Sequence, residues 1–157
     1  MEPIRENAHR PFAWGGVHVY LASRFARRDE MRGVADELEE AGFKITSRWL
    51  ESPRPLTAIE FEPGGVGGDL ASMDLDDLRR SQMCLAFTEE AAVGPAGRGG
   101  RHTELGIALG LGLKVILVGP REHIFHALPG IDHLPDWPEA RRTLIPRKGR
   151  VAELVAS

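Results

Sequence analysis

The stretch MCLAFTEEAAVGPAGRGGRHTELGIALGLGLKVILVG, residues 83–119, decides the fold. It opens on MCLAF (83–87), short and wholly apolar, as a centre strand of a parallel sheet requires when both its faces are covered. The Gly-rich turn GPAGRGG (94–100) leads into HTELGIALGLG, in which Leu105, Ala108, Leu109 and Gly112 share one helical face. KVILVG (114–119) reads as a second buried strand. Two apolar strands joined through a helix form the unit from which parallel sheets are built.

The same alternation extends in both directions. Upstream, VHVYLA (17–22) reads as a strand, and Met31, Val34, Ala35 and Leu38 recur at i, i+3, i+4, i+7 as the buried face of a helix that Gly42 stops. FKITSRW (43–49) reads as a second strand. Residues 51–71 carry three Pro and four Gly without steady periodicity and read as a long loop. Ser72 is placed to cap a short helix, MDLDDLRRS, with Asp74, Asp76 and Asp77 near its positive end. Downstream, REHIFHALPG holds a helical turn, and residues 138–156 hold weak helix broken by Pro146. The expected architecture is a three-layer, Rossmann/flavodoxin-like α/β fold with a parallel sheet of about five strands and helices on both faces. It forms one domain over residues 1–157, with an irregular arm at 1–16 and a loosely packed tail at 139–157. Ligands in such sheets bind beyond the carboxyl ends of the strands. Those ends are Ala22-Ser23-Arg24, Arg48-Trp49, Phe87-Thr88-Glu89 and Gly119-Pro120.

Composition narrows the function classes. With 157 residues, 42% of them hydrophobic and 27% charged, the chain suits one folded domain rather than a disordered one. A net charge of −3 argues against a general nucleic-acid binder. No apolar run reaches the ~18–20 residues of a membrane span. The polar start, MEPIRENAHRPF, lacks the apolar core of a signal peptide, and the single Cys84 favours a reducing cytoplasm.

Chemistry concentrates in GRGGRHTELG, residues 97–106. Its glycines let backbone approach a ligand, and the following helix start offers free N–H groups. Glu104 falls within the first turn, where the helix dipole favours the ionised form by roughly 0.3–1 kcal/mol. Such a carboxylate either complements the dipole or serves as nucleophile, base or cation partner. A P-loop needs Lys and then Ser or Thr after Gly99, where this chain has Gly100 and Arg101. No complete G-x-G-x-x-G dinucleotide fingerprint is present.

VYLASR near the start, DLDDLRRSQMCLAF in the middle and GGRHTELGIALGLGLKVILVG, taken in this order over residues 17–138, resemble the nucleoside 2-deoxyribosyltransferase-like family. That family includes base-exchanging transferases and relatives that hydrolyse the N-glycosidic bond of nucleoside 5′-monophosphates. The resemblance implies that Glu104 is the nucleophile, that Tyr20 orients it, and that Asp74 handles the leaving base or the sugar. It further implies that Ser23 and Arg24 read a 5′-phosphate, and that His126 reaches the phosphate of a neighbouring subunit in a homodimer or higher homo-oligomer. Gly100 and His102, at the helix start, and Arg98 join the substrate-binding set. Transferases carry an Asp six residues before the nucleophile, at the position of Arg98. They also have an Asn- and Tyr-bearing terminus, unlike VAELVAS here. Both departures favour hydrolysis over base exchange.

The expected chemistry is that of two-step retaining glycosidases: a carboxylate traps C1′ as an ester while a second group protonates the departing base. No cofactor is needed. Each assignment has a plainer counterpart, with Tyr20 as packed core and Asp74 as a helix cap. Arg27 and Arg28 suit either an anionic substrate or pairing with Asp29 and Glu30. Trp49 suits base stacking or core packing equally. His123, His126 and His133 lack a Cys or carboxylate to complete a ligand set, so no metal is expected. The basic residues Arg141, Arg142, Arg147, Lys148 and Arg150 read as a solvated face. Besides hydrolase and transferase, a cytokinin-type phosphoribohydrolase ranks third because its Pro-Gly-Gly-x-Gly-Thr-x-x-Glu loop differs at Arg101. A non-catalytic nucleotide sensor is the rival from another class.

Overall fold

The computed structural model describes residues 16–90 and 99–145. Five strands form one fully parallel sheet: β1 (His18–Ala22), β2 (Lys44–Ile45), β3 (Met83–Phe87), β4 (Lys114–Val118) and β5 (Asp132–Leu134), in the order β2-β1-β3-β4-β5. Helices α1 (Arg28–Glu40), α2 (Val66–Arg79), α3 (Gly100–Gly110) and α4 (Trp137–Leu144) cover it. α2 packs beside α3. On the other side, α4 meets α1 through Trp137 Nε1 and Arg141, which both donate to Glu37. The expected three layers are therefore present. None of the described helices is long and apolar enough to cross a membrane.

Periodicity explains the central elements. All five residues of β3 are buried, each large apolar side chain contributing roughly 1.5–3 kcal/mol by leaving water. Met31, Val34, Ala35 and Leu38 are the buried face of α1, and Gly42 follows its end with φ +99°. In register, Tyr20 lies opposite Cys84 and Leu85 opposite Ile116.

Three expectations are corrected. The second strand stops at Ile45 because side chains replace its ladder. Ser47 Oγ accepts from Leu21 N at 2.7 Å, and Trp49 Nε1 donates to Leu21 O at 2.8 Å. The edge of β1 is thus satisfied, and residues Arg48–Glu51 close into a 3-10 turn. The stretch 51–71 is not all loop, since a 3-10 turn spans Ala58–Phe61 and α2 begins at Val66. Its glycines mark close packing. A Cβ on Gly65 or Gly67 would sit 2.6 Å from Glu60 O. Ser72 consequently lies inside α2 and donates to Gly68 O rather than capping the helix. Finally, residues 139–145 are not loosely packed: α4 is capped by Asp136 and buries Ala140 and Leu144. The arm at 1–15, residues 91–98 with most of the Gly-rich turn 94–100, and the tail from Pro146 onward lie outside the described residues.

Candidate active site

From β1 the chain passes to β2 on one side, then returns across the sheet to β3 on the other. In a 2-1-3-4-5 sheet this reversal opens a crevice between the carboxyl ends of β1 and β3, where ligands bind. Tyr20 stands on β1 and is fully buried. Its hydroxyl donates to Glu104 Oε1 at 2.7 Å, joining β1 to α3. Glu104 is the fifth residue of α3, which starts after Gly99 at φ +83°. It therefore lies past the first turn that the sequence suggested, and its side chain is only partly exposed.

Asp74 comes from the middle of α2, not from its start, so the helix-cap reading is set aside. Its Oδ1 is buried and has no hydrogen-bond partner among the described residues. Burial pushes the Asp74 carboxyl up to about 6, the negative charge of Asp77 adds to the rise, and Arg48 opposes it. Burial raises Glu104 further, to about 8; the Tyr20 hydrogen bond pulls it down and the charge of Asp74 pushes it up. Desolvation thus outweighs the dipole that was expected to keep Glu104 ionised. Burial, with the charges of Glu104 and Asp74, drives the Tyr20 phenol upward, so it stays a neutral donor. Glu104, Asp74 and Tyr20 consequently form one electrostatic unit. With Asp74 raised to about 6 and Glu104 to about 8, Glu104 is the protonated member of the pair near neutral pH and Asp74 the ionised one.

Asp77, one turn beyond Asp74, is fully buried. It accepts from Arg48 N at 2.9 Å and Arg48 Nε at 2.7 Å, and from Arg80 at 2.5 Å. These bonds fix α2 against the turn after β2 and so set the position of Asp74. No local signal separates Asp77 from Asp76; only burial does.

The other substrate-binding candidates fare differently. Ser23 follows β1, its hydroxyl 3.4 Å from Arg24 O. Arg24 bridges the crevice to Glu89 at 2.7 Å, and Arg27 approaches the same carboxylate at 3.9 Å. Glu89 thus answers the positive charge expected to face an anion, a partner the sequence reading missed. Arg28 donates to Ser52 O, pairs with Asp29 at 3.4 Å and lies over the Phe25 ring, so the pairing reading holds for it. Trp49 is buried against Phe25 with its indole N–H taken by Leu21, so it is core and not a base platform. Gly100 opens α3 with free space around it. His126 is 1% exposed and accepts from Glu122 N through Nδ1, so it faces inward rather than toward a neighbouring subunit. His102 lies against His123. Arg98 lies outside the described residues.

Fold and site together define a doubly wound α/β protein with two desolvated carboxyls, Asp74 and Glu104, beside its topological switch point. Among solved structures, the chain is similar to a 2-deoxyribosyltransferase from the psychrotolerant bacterium Bacillus psychrosaccharolyticus. The two share 20% identity and a TM-score of 0.57 over 79% of this chain and 90% of that one. It is also similar to the CMP N-glycosidase BcmB of Clostridium botulinum, with 20% identity and a TM-score of 0.49 over 80% and 95% of the two chains. The likeness to the transferase establishes a common fold. No protein-family model and no curated protein sequence matches the chain.

Proposed function

We propose that the chain cleaves the N-glycosidic bond of a nucleoside or deoxynucleoside 5′-monophosphate, releasing free base and sugar phosphate. The observation that carries this reading is the 2.7 Å bond from buried Tyr20 to Glu104, within the electrostatic reach of Asp74. A nucleophile and an acid require one carboxylate and one carboxylic acid, which is the state a single shared proton provides. In the free protein the higher-titrating Glu104 holds the proton; in the productive complex that proton passes to Asp74, and Tyr20 stabilises the ionised Glu104. Glu104 attacks C1′, the C1′–N pair leaves with the base, and Asp74 protonates that base. Water then attacks the glycosyl ester, returning Glu104 as a carboxylate and leaving a proton with Asp74. Ser23 and Arg24 lie where a 5′-phosphate enters, with the phosphate replacing Glu89 on Arg24. The enzyme acts in the cytoplasm as a homodimer without a cofactor in its chemistry.

Incubation with a panel of nucleoside 5′-monophosphates tests the reading. Base release by the wild type and none by Glu104→Gln supports it. Adding a second free base separates hydrolysis from transfer, since only a transferase makes a new nucleoside. A 2-fluorinated nucleotide should leave a mass adduct on Glu104. Unaltered, tightly held ligand identifies a sensor instead.

A further inference from the structure

Away from the carboxyl pair, three imidazoles converge. His102 belongs to the first turn of α3, while His123 and His126 belong to the connection between β4 and β5. One ring nitrogen of each lies within 4.8 Å of the other two. We propose that His102, His123 and His126 bind a divalent transition-metal ion of the zinc type.

The geometry carries this further than core packing does. His123 Nε2 and His102 Nδ1 are 3.1 Å apart. Two imidazole nitrogens on one tetrahedral zinc, each at ~2.0–2.1 Å, stand about 3.3 Å from each other. In the metal-free protein this contact is a hydrogen bond between the two rings, and its length is close to the spacing of two ligands of one ion. His126 is almost wholly buried, yet its Nε2 has no hydrogen-bond partner among the described residues, and neither does His123 Nδ1. Buried polar atoms are ordinarily satisfied, so orphaned imidazole nitrogens on two adjacent rings call for a partner, and His123 can offer an ion either this Nδ1 or the Nε2 that faces His102, not both. A carboxylate stands alongside: Glu122 Oε1 pairs with Arg101 at 2.6 Å and lies 3.9 Å from His102 Nε2, while its Oε2 is buried and unpartnered. Imidazole nitrogens with one carboxylate suit zinc, copper or nickel rather than calcium or magnesium.

Coordination by His126 has a definite consequence. Its Nδ1 accepts from Glu122 N at 3.0 Å, which leaves the ring proton on Nε2. Binding through Nδ1 displaces that amide; binding through Nε2 moves the proton to Nδ1 and also breaks the bond. Either way one backbone hydrogen bond is exchanged for a metal–nitrogen bond. The ion would staple the start of α3, the helix that carries Glu104, to the segment after β4. Sequence spacing drew attention to His133 instead, but that ring bonds Gly119 O at 2.7 Å. The site does not depend on the glycosidic reading.

Tag-free, chelator-dialysed protein titrated with Co(II) should develop a saturable visible d–d spectrum at one equivalent, bleached by equimolar Zn(II). Zn(II) alone should raise the melting temperature. His102→Ala and His123→Ala, at partly exposed positions, should lose both responses, and His18→Ala on β1 should keep them. The absence of an equimolar signal overturns the proposal. So does a wild-type response in both His102→Ala and His123→Ala, whatever becomes of the buried His126→Ala.

Discussion

Replacing Glu104 by Gln preserves the side chain's shape and its acceptance of the Tyr20 hydroxyl, but removes the titrating proton. In the native protein that carboxyl titrates at about 8 instead of the ordinary 4.5, chiefly because it is desolvated. A native pKa above the unfolded value means that the folded state binds more protons, so stability falls as pH rises through this window. Below about pH 4 both states are protonated and the variant should match the wild type. Above that, the unfolded wild type gains ionisation that the native carboxyl is denied, at about 1.4 kcal/mol per pH unit. By pH 7 the Gln variant should be more stable by up to about 3 kcal/mol, with the gap levelling above pH 8. Urea unfolding of both proteins at pH 4, 5, 6, 7 and 8 measures it, alongside base release from a nucleotide. The expected result is a protein more stable than its parent and catalytically dead, as when strained active sites are relieved. Parallel stability curves across this range would refute the reasoning, since they would mean that Glu104 is not held away from water. Destabilisation that grows with pH would mean an ionised carboxylate with a strong cationic partner.

Base release should follow a bell-shaped pH profile with its limbs near 6 and 8, set by the pair formed by Asp74 and Glu104. Below the first limb both carboxyls are protonated and no nucleophile is left, and above the second both are ionised and no acid is left; a profile flat from pH 5 to 9 contradicts a one-proton pair. Tyr20→Phe removes the 2.7 Å donor to Glu104. It should lower kcat by about tenfold or more and shift the upper limb to higher pH, a movement that lost packing alone does not produce. Two glycines should respond oppositely to alanine in urea melts. Gly119 sits at φ +120° with a Cβ position 2.5 Å from Thr88 Oγ1 and 2.8 Å from Thr88 O, so Gly119→Ala should cost at least about 2 kcal/mol. Gly33, exposed inside α1 with nothing within 4 Å, should gain about 0.5–1 kcal/mol as Gly33→Ala. Equal effects at the two positions would discount the close approach of β3 and β4 ends.

Where burial is two-sided, the sequence reported the fold faithfully. β1, β3, β4 and α1 were legible because a strand or helix face packed on all sides needs an unbroken apolar run or a strict 3.6-residue period. Legibility failed where side chains stand in for backbone. Nothing local in FKITSRW reveals that Ser47 and Trp49 will satisfy Leu21 and end β2. It failed again where glycine serves packing. Gly65 and Gly67 weaken helical propensity, yet they let α2 begin against Glu60, and propensity was the only signal on offer. β5, three residues long, carries no period at all; it exists because the edge of β4 supplies its hydrogen bonds.

The site divides along the same line. Tyr20 and Glu104 are 84 residues apart and meet because β1 and α3 are adjacent in a 2-1-3-4-5 sheet. Residue type and motif order named both, but their protonation depends on tertiary burial and could not be read locally. The dipole at the start of α3 is worth a fraction of a pH unit. Desolvation of Glu104 moves it by several in the other direction. Other residues singled out in the sequence show the converse. Arg24, Arg28 and Trp49 carry suitable chemistry in the sequence, and tertiary partners Glu89, Ser52 and Leu21 claim them. Among the described residues nothing claims the buried Oδ1 of Asp74. A buried polar atom left unsatisfied costs about 1–3 kcal/mol, and a fold retains that cost where a ligand group removes it. On that ground the proposed site is centred on the carboxyl pair, with the arginines beside it as its flank.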